Sequence, residues 1–216
     1  MAKGVRRLDL SSIENRLKNR NVKVLGHEQM KVSSVLVPLI EKDDGLHVLF
    51  QVRGKKLRTQ PGEICFPGGR VENGDENETE TAIRETCEEL GLQREQIKVM
   101  APLDICINPF HAIIHPFVGV ILEPEAIRPN ELEVEEVFTV PLEYLLNYEP
   151  KFHPVKFQVK LDDSFPYHLI PNGKAYNWRT RQVPEYFYLY DKYVIWGLTA
   201  RILTNFLTVI KQEKIS

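Results

Sequence analysis

The chain has 216 residues, of which 43% are hydrophobic, and a formal net charge of −2. That length is enough to bury one full hydrophobic core, so we expect a single domain over residues 1–216. The near balance of charge argues against nucleic-acid binding driven by bulk electrostatics. No apolar run reaches the roughly 18 residues of a membrane-spanning helix. The sequence therefore predicts neither nucleic acid nor a membrane as a partner.

The three cysteines, Cys65, Cys87 and Cys106, have no metal-ligand spacing and no even count for a set of disulfides. We interpret them as reduced core residues of a cytosolic protein. Residues 1–10 lack the apolar segment of a signal peptide, and residues 214–216 are not a peroxisomal signal of the Ser-Lys-Leu type. We therefore expect a cytoplasmic protein.

The first predicted elements are a short helix and a β-hairpin. Ser11 and Glu14 form a candidate capping box for a helix over Ser12–Asn19. Val32–Ile40 is a β-branched apolar run, which is typical of a buried strand. An Asp-Asp-Gly turn then leads into Leu46–Arg53, which we expect to pair with that strand.

A basic loop, Gly54–Pro61, follows the hairpin, with Arg53 at its entrance and Lys55, Lys56 and Arg58 within it. Basic loops are commonly solvated surface, and that interpretation stays open. The loop lies immediately before a carboxylate-rich stretch, however, and this position favours phosphate binding.

Residues 62–92 are the stretch around which the chain is organised. A short apolar strand, Glu63–Phe66, ends at a proline. Gly68 and Gly69 then predict a turn that accepts left-handed dihedrals and lets the backbone approach a ligand closely. The polar loop Arg70–Asn77 leads into the helix that follows.

This helix is predicted to run to about Leu90, with Gly91 as its C-terminal stop. At about 100° per residue, Glu85, Glu88 and Glu89 share one arc of its surface. Three carboxylates within one turn repel one another unless a cation joins them. An all-oxygen cluster suits Mg²⁺ or Mn²⁺, so we expect these glutamates to bind such a metal.

Arg84 lies beside the glutamates and could orient one of them through a forked hydrogen bond. The wider pattern consists of Gly69, Arg84, Glu85, Glu88, Glu89 and Gly91. Its spacing resembles the Nudix box, the signature of hydrolases that cleave a nucleoside diphosphate linked to another moiety. The resemblance implies an α/β/α sandwich with a mixed sheet. Counted back from Arg84, the early acid of the box is Glu76, with Asp75 as the alternative, and Thr86 stands where an aliphatic residue is commoner.

A second pattern lies upstream of the box. It consists of Leu49, Arg53, Leu57, Arg58, Gly62, Phe66, Pro67, Gly68 and Gly69. This spacing resembles that of the coenzyme A diphosphatases, a Nudix subfamily that often has Thr at the position of Gln51 and Ser at that of Gly54. Ile195–Ala200 is similar to the last helix of the subfamily. The specific part of the resemblance covers about forty residues.

Two more strands are predicted beyond the box, Ile97–Ile107 and Ile113–Leu122. His111 and His115 lie close to each other in this part of the chain. Lone histidines at strand ends are more often structural than metal ligands or bases, so we interpret both as structural.

The stretch Asn130–Val137 is rich in glutamate. Alternation turns Leu132 and Val134 inward. The opposite face then carries Glu131, Glu133 and Glu135. This face is either a solvated edge or the source of a fourth carboxylate that reaches the metal as a ligand or base.

The last third of the chain combines strand-like and helical patterns. Pro141–Leu146 predicts a short helix opened by proline, and His153–Leu161 and Glu185–Tyr190 are alternating, strand-like runs. Aromatic residues here are more typical of a core than of base stacking. Val194–Ile210 predicts a strongly amphipathic, packed helix. A mixed sheet with helices on both faces follows, which is an α/β (α+β) fold.

The resemblance implies an enzyme that hydrolyses the pyrophosphate linkage of coenzyme A or its derivatives to 3′,5′-ADP and 4′-phosphopantetheine, with Mg²⁺ or Mn²⁺ as cofactor. The expected metal ligands are Glu85, Glu88 and Glu89. The expected catalytic residues are Glu89, Glu85 and Arg84. The expected substrate-binding residues are Arg53, Arg58, Gly68, Gly69 and Arg70. The general base is either Glu89 or a glutamate within residues 131–136.

Two alternatives stay open. One is a Nudix pyrophosphatase for ADP-ribose or another nucleoside diphosphate derivative. The other is a Nudix-like sensor that binds a nucleotide without cleaving it, against which the intact set of three carboxylates weighs. The sequence leaves the oligomeric state open, with a homodimer as one alternative.

Overall fold

The structure, a computed structural model, describes residues 9–18, 20–108 and 112–211. The chain divides into two units, Met1–Met30 and Lys31–Ser216. A single domain over the whole chain stays a prediction. Among the described residues, no helix is both long and apolar enough to cross a membrane.

The first unit contains helix α1, Leu10–Lys18. The helix begins where it does because the Asp9 carboxylate accepts a hydrogen bond from the backbone N–H of Ser12, at 2.8 Å. The predicted capping box of Ser11 and Glu14 is therefore wrong, since Asp9 supplies the cap. No residue of α1 is buried.

The second unit is built from two sheets and the remaining helices. The strands are β1 Lys31–Lys42, β2 Gly45–Arg53, β3 Ile64–Cys65, β4 Gly68–Arg70, β5 Ile97–Pro102, β6 Cys106–Asn108, β7 Ala112–Ile121, β8 Val134–Pro141, β9 Lys151–Phe157, β10 Arg181–Tyr190 and β11 Tyr193–Ile195. The helices are α2 Glu78–Leu90, α3 Leu142–Asn147 and α4 Gly197–Lys211.

The larger sheet has the order β3-β2-β1-β7-β5, with β4 paired to β1, β6 to β7 and β8 to β2. Strands β1 and β7 are parallel, and their other neighbours are antiparallel to them. The predicted mixed sheet is therefore confirmed. The predicted hairpin is also confirmed: β1 and β2 meet at Gly45, whose φ of 118° favours glycine.

Alternation along the central strands sends neighbouring side chains to opposite faces of the sheet. Leu36 and Leu49 pack with Ala82 of α2 on one face. Val37 and Phe50 belong to the cluster that α4 completes on the other face. Both strands are thus buried on two sides, which explains their nearly continuous apolar sequences. Helices on both faces confirm the predicted α/β/α arrangement.

The strand predicted over Ile97–Ile107 is wrong as a single element. It forms two strands, β5 and β6, each antiparallel to β7. β5 ends at Pro102, and after a last hydrogen bond from the Leu103 N–H to the Pro116 carbonyl at 2.8 Å the chain leaves β7 until β6 begins at Cys106. The next predicted strand, Ile113–Leu122, is confirmed as β7 to within one residue at each end. His111 lies outside the described residues.

A second sheet of order β11-β10-β9 contains the aromatic-rich region. The sequence predicted strands here but not a separate sheet. The predicted strand His153–Leu161 ends at Phe157. The predicted helix Val194–Ile210 begins only at Gly197, because residues 193–195 form β11.

Candidate active site

The candidate site lies where β3 and β4 meet helix α2. The turn predicted at Gly68 and Gly69 is wrong, because both residues lie in strand β4, where Gly68 stands opposite Val35 of β1. Gly68 has a φ of 153°, and a Cβ there would collide with the backbone carbonyl of Ser34. A Cβ on Gly69 would collide with the Glu85 carboxylate. Glycine at both positions therefore lets this strand lie close to β1 and to α2 at once.

Local chemistry fixes both ends of α2, and the predicted helix is confirmed. The Asn77 side chain accepts a hydrogen bond from the N–H of Glu80 at 3.1 Å. At the other end Gly91 has a φ of 67°, and its N–H donates to the Cys87 carbonyl. The buried face includes Ala82, Ile83 and Leu90.

Glu89 is a buried carboxylate, only 4% exposed. Its Oε2 accepts hydrogen bonds from the backbone N–H of Gly68 at 2.9 Å and from Nε2 of Gln51 at 2.8 Å. Burial raises the pKa of Glu89 to about 7, and these two hydrogen bonds oppose the rise only in part. A carboxylate in this state either holds a proton near neutral pH or is stabilised by a nearby cation.

Glu85 and Glu88 both lie beside Arg84. Nη1 of Arg84 donates to Oε1 of Glu85 at 2.9 Å and lies 3.4 Å from Oε2 of Glu88. Burial raises the pKa of Glu85, while its pairing with Arg84 opposes the rise. The Glu88 side chain is 56% exposed. The arc of three glutamates is therefore divided, with Glu85 and Glu89 turned into the protein and Glu88 turned to solvent.

The forked hydrogen bond of Arg84 goes to Asp75. Nε and Nη2 donate to the two carboxylate oxygens at 2.9 and 3.1 Å. This pairing holds the pKa of Asp75 well below its usual range. Glu85 receives a single bond, so among the glutamates the predicted fork is met only by the longer contacts of Nη1 with both oxygens of Glu88, at 3.5 and 3.4 Å. Asp75 is thus the acid that partners the box arginine, whereas Glu76 is exposed.

The glutamates do not form a closed metal cage: in the described part of the chain, no group of three or more His, Cys, Asp or Glu side chains is placed to hold a metal. The donors nevertheless fit Mg²⁺ or Mn²⁺, since all are carboxylate oxygens. Burial raises the pKa of both Glu85 and Glu89, so a divalent cation would supply the charge that their ionised forms lack. The metal set that also includes Glu88 stays a prediction.

Of the predicted substrate-binding arginines, Arg53 has a charge that opposes the burial-driven rise in the pKa of Glu89. Its Nη2 donates to the Thr59 carbonyl at 3.5 Å, and its Nε is buried without a hydrogen-bond partner among the described residues. A buried N–H of this kind is a suitable donor to a phosphate oxygen. Arg58 and Arg70 are exposed.

The glutamate-rich stretch supplies one further acid to the site. Residues 131–133 form a turn before β8, and Leu132 is 78% exposed. Its predicted inward orientation is wrong, because strand alternation does not extend into the turn. Glu135 and Glu136 are paired with lysines at 2.8 and 3.0 Å. The charge of Glu133, in contrast, adds to the effect of burial on the pKa of Glu85.

Sequence reasoning gave no role to Gln51, whose amide contacts Glu89. The sequence did contain a signal for this role, because Gln51 is a polar residue inside an otherwise apolar strand. A buried amide needs a hydrogen-bond partner. Cys65 lies opposite Gln51, with its Sγ 3.6 Å from the amide nitrogen. Burial raises the pKa of Cys65 to about 11. The structure contains Cys65, Cys87 and Cys106 as free thiols, as predicted.

Residues 30–160 match the NUDIX domain. Peroxisomal coenzyme A diphosphatase NUDT7 of Mus musculus is 43% identical over 114 residues, which are 53% of this chain and 48% of that protein. Nudix hydrolase 22, chloroplastic, of Arabidopsis thaliana is 33% identical over 190 residues, 85% of this chain and 56% of that protein. Nudix hydrolase 3 of Caenorhabditis elegans is 33% identical over 186 residues, 83% of this chain and 73% of that protein.

The chain thus spans about half the length of the first two of these relatives. The NUDIX match covers more than half of the chain itself and includes the glycine pair, the basic loop and all of α2. It also includes the buried Glu89 and the pair of Arg84 and Asp75. On these grounds the chain belongs to the Nudix family.

Proposed function

We propose that this protein is a metal-dependent pyrophosphohydrolase that cleaves coenzyme A or its derivatives to 3′,5′-ADP and 4′-phosphopantetheine. One observation carries the proposal: Glu89 is buried beside Gly68 of β4 with a pKa of about 7. Perturbed acids of this kind are typical of catalytic sites. The name of the mouse relative, a coenzyme A diphosphatase, supports the substrate class.

Glu85, Glu88 and Glu89 would hold the metal. When bound, Mg²⁺ or Mn²⁺ neutralises charge on the leaving phosphate and lowers the pKa of a bound water. Arg84 positions Glu85, and Asp75 in turn orients Arg84 through both carboxylate oxygens. The chain's own contribution is therefore a rigid set of carboxylates, assembled before substrate binds.

The proton of the attacking water needs an acceptor. Glu89 is suited to this because an acid with a pKa near 7 exchanges its proton readily at neutral pH. Glu133 is the alternative acceptor within the glutamate-rich stretch, since its charge acts on Glu85. A comparison of the pH–rate profiles of Glu89→Gln and Glu133→Gln, each at saturating Mn²⁺, separates these two roles.

In this proposal Arg53 and Arg58 bind different phosphates of the substrate. Arg53, which lies near Glu89 and has a buried Nε without a partner among the described residues, serves the pyrophosphate. Arg58, on the exposed loop, serves the 3′-phosphate that distinguishes coenzyme A from plain adenosine diphosphate derivatives. This phosphate carries about two negative charges at neutral pH. Gly68, Gly69 and Arg70 complete the proposed phosphate-binding surface.

The deciding assay compares coenzyme A, 3′-dephospho-coenzyme A and ADP-ribose as substrates in the presence of Mg²⁺ or Mn²⁺. One arginine–phosphate pair is worth roughly 1.5 to 3 kcal/mol, so coenzyme A should exceed its dephospho form about ten- to a hundredfold in kcat/KM. Arg58→Ala should lower only the coenzyme A value, Arg53→Ala should lower both, and the exposed Arg179→Ala serves as a control.

Equal turnover of the two coenzyme A forms would refute this substrate assignment and favour ADP-ribose or another nucleoside diphosphate derivative. Nucleotide binding without hydrolysis of any compound would favour the sensor. Cytoplasmic localisation and a homodimer remain predictions; fractionation of cells and light scattering of the purified protein test them.

A further inference from the structure

Gln51 is a fully buried amide in the middle of the larger sheet, at 0% exposure. It lies on β2 between two partner strands, opposite Cys65 of β3 on one side and Val137 of β8 on the other. Its chain neighbours Phe50 and Val52 belong to or pack against the apolar core. Strand pairing on both sides of β2 therefore fixes the backbone position from which the Gln51 side chain projects.

The amide nitrogen of Gln51 reaches the buried carboxylate of the site. Nε2 donates to Oε2 of Glu89 at 2.8 Å. The backbone N–H of Gly68 donates to the same oxygen at 2.9 Å. Oε1 of Glu89 accepts no hydrogen bond from the described residues. Both protein donors therefore hold one oxygen of the carboxylate and leave the other available.

Fold stability alone is a poor explanation for this amide. Its Oε1 is buried and has no hydrogen-bond partner among the described residues. A buried polar atom left in this state is unfavourable, and an apolar side chain of the same length would avoid it. The interaction with Glu89 is what distinguishes glutamine from such an apolar residue at this position.

We infer that Gln51 is a positioning residue: together with the Gly68 N–H it holds Oε2 of Glu89, so that Oε1 is directed to the cation. This inference rests on the proposed function. Two donors on one oxygen fix the rotation of the carboxylate group, and a partner of this kind commonly alters metal affinity or activity about 10- to 100-fold when it is removed. Glycine supplies one donor from the backbone, and only the second depends on a side chain that mutation can change.

The test measures Mn²⁺ binding to the substrate-free protein, by titration with electron paramagnetic resonance detection, alongside coenzyme A turnover. Gln51→Met keeps the length and removes the donor, and Gln51→Asn keeps the amide but places it too far away. Both should weaken Mn²⁺ binding by about tenfold or more. Thr86→Val is the matched control, because Thr86 is buried in α2 and donates only to the Ala82 carbonyl.

Circular dichroism and thermal unfolding establish that each variant is folded at the temperature of the titration, and Gln51→Asn carries the test if Gln51→Met does not fold. Wild-type Mn²⁺ affinity and turnover in a folded Gln51 variant would overturn the role of Gln51 while leaving the proposed function standing. Failure of the unmodified protein to bind Mn²⁺ would refute the proposed function and this role together.

Discussion

The box, residues 62–92, and the aromatic region, residues 151–195, hold together by different kinds of contact. In the box, glycine backbone lies against carboxylates, and one arginine holds an aspartate through two hydrogen bonds. In the aromatic region rings pack on rings, as where His153 meets Phe187 edge-on with 5.7 Å between ring centroids. Each box contact needs one residue type, whereas several apolar residues could supply the ring contacts. The spacing of residues in the sequence therefore identifies the box, whereas it predicts the elements of the aromatic region only approximately.

The aromatic region is joined to the rest of its unit by the apolar core, to which Tyr188 and Ile195 belong, and by a few polar contacts. The hydroxyl of Tyr188 lies 2.8 Å from Oγ1 of Thr204 on α4. The hydroxyl of Tyr144 donates to the Leu189 carbonyl at 2.7 Å. We therefore expect changes in the aromatic region to alter stability and changes in the box to alter chemistry.

The largest expected effect is the pH dependence of stability that Glu89 causes in the metal-free protein. Its pKa is about 7 in the folded protein against an ordinary value of 4.5, so the folded state binds more protons between these pH values. The contribution of Glu89 is fully present below about pH 4.5 and is lost as the pH rises to about 7. At 1.36 kcal/mol per unit, the loss is about 3 kcal/mol. Urea unfolding at pH 5 and pH 8 measures it.

Glu89→Gln should remove the share of this difference that Glu89 causes, since glutamine does not titrate, and leave the smaller share from Glu85, whose pKa burial also raises. Glu88→Gln serves as the control because Glu88 is half exposed and has the same side-chain type. The same pH slope in the unmodified protein and in Glu89→Gln would show that Glu89 is not the titrating group.

The next largest effect concerns the three glutamates of the box. Glu85→Gln, Glu88→Gln and Glu89→Gln keep the side-chain size but remove the charge that binds a cation. Each should lower turnover about a hundredfold or more in a folded protein, measured at saturating Mn²⁺. Glu95→Gln, a change at an exposed residue, is the control. Near-normal turnover in Glu89→Gln with unchanged metal dependence would remove that residue from the site.

A smaller effect separates the two neighbouring acids before α2. Asp75→Asn removes the charge that orients Arg84, which then holds Glu85 less firmly, so kcat/KM should fall about tenfold. Glu76→Gln should leave kcat/KM unchanged because Glu76 is exposed. Steady-state kinetics on both variants measures this contrast, and equal losses would contradict the assignment of Asp75.

The smallest expected effect tests the aromatic region. Tyr188→Phe removes the hydroxyl that contacts Thr204 and should lower the free energy of unfolding by about 1 kcal/mol. Coenzyme A turnover should not change. Chemical denaturation and the enzyme assay are run on the same sample, with Tyr176→Phe, a change in an exposed loop, as the control. A loss of turnover without a loss of stability would mean that this region takes part in the chemistry.

The sequence by itself determined the position and limits of α2 and the hairpin. Their signals are local: Asn77 caps the helix, Gly91 ends it, and Gly45 at the hairpin has a φ of 118° that favours glycine. The apolar runs of β1 and β2 were equally direct, because a strand buried on both faces needs little polar alternation. None of these features depends on which distant residue packs nearby.

Only the tertiary structure decided which of the acids are buried and which residues they contact. Helical spacing puts Glu88 and Glu89 about 100° apart on one arc, but it does not show that β2 and β4 bury Glu89 through Gln51 and Gly68. Its partner Gln51 lies 38 residues earlier in the chain. Asp75 and Glu76 are likewise adjacent in sequence, and the reach of the Arg84 guanidinium selects Asp75. Burial and hydrogen bonds between residues distant in sequence distinguish Glu89 from Glu88 and Asp75 from Glu76. Neither can be predicted from the spacing of residues along the chain.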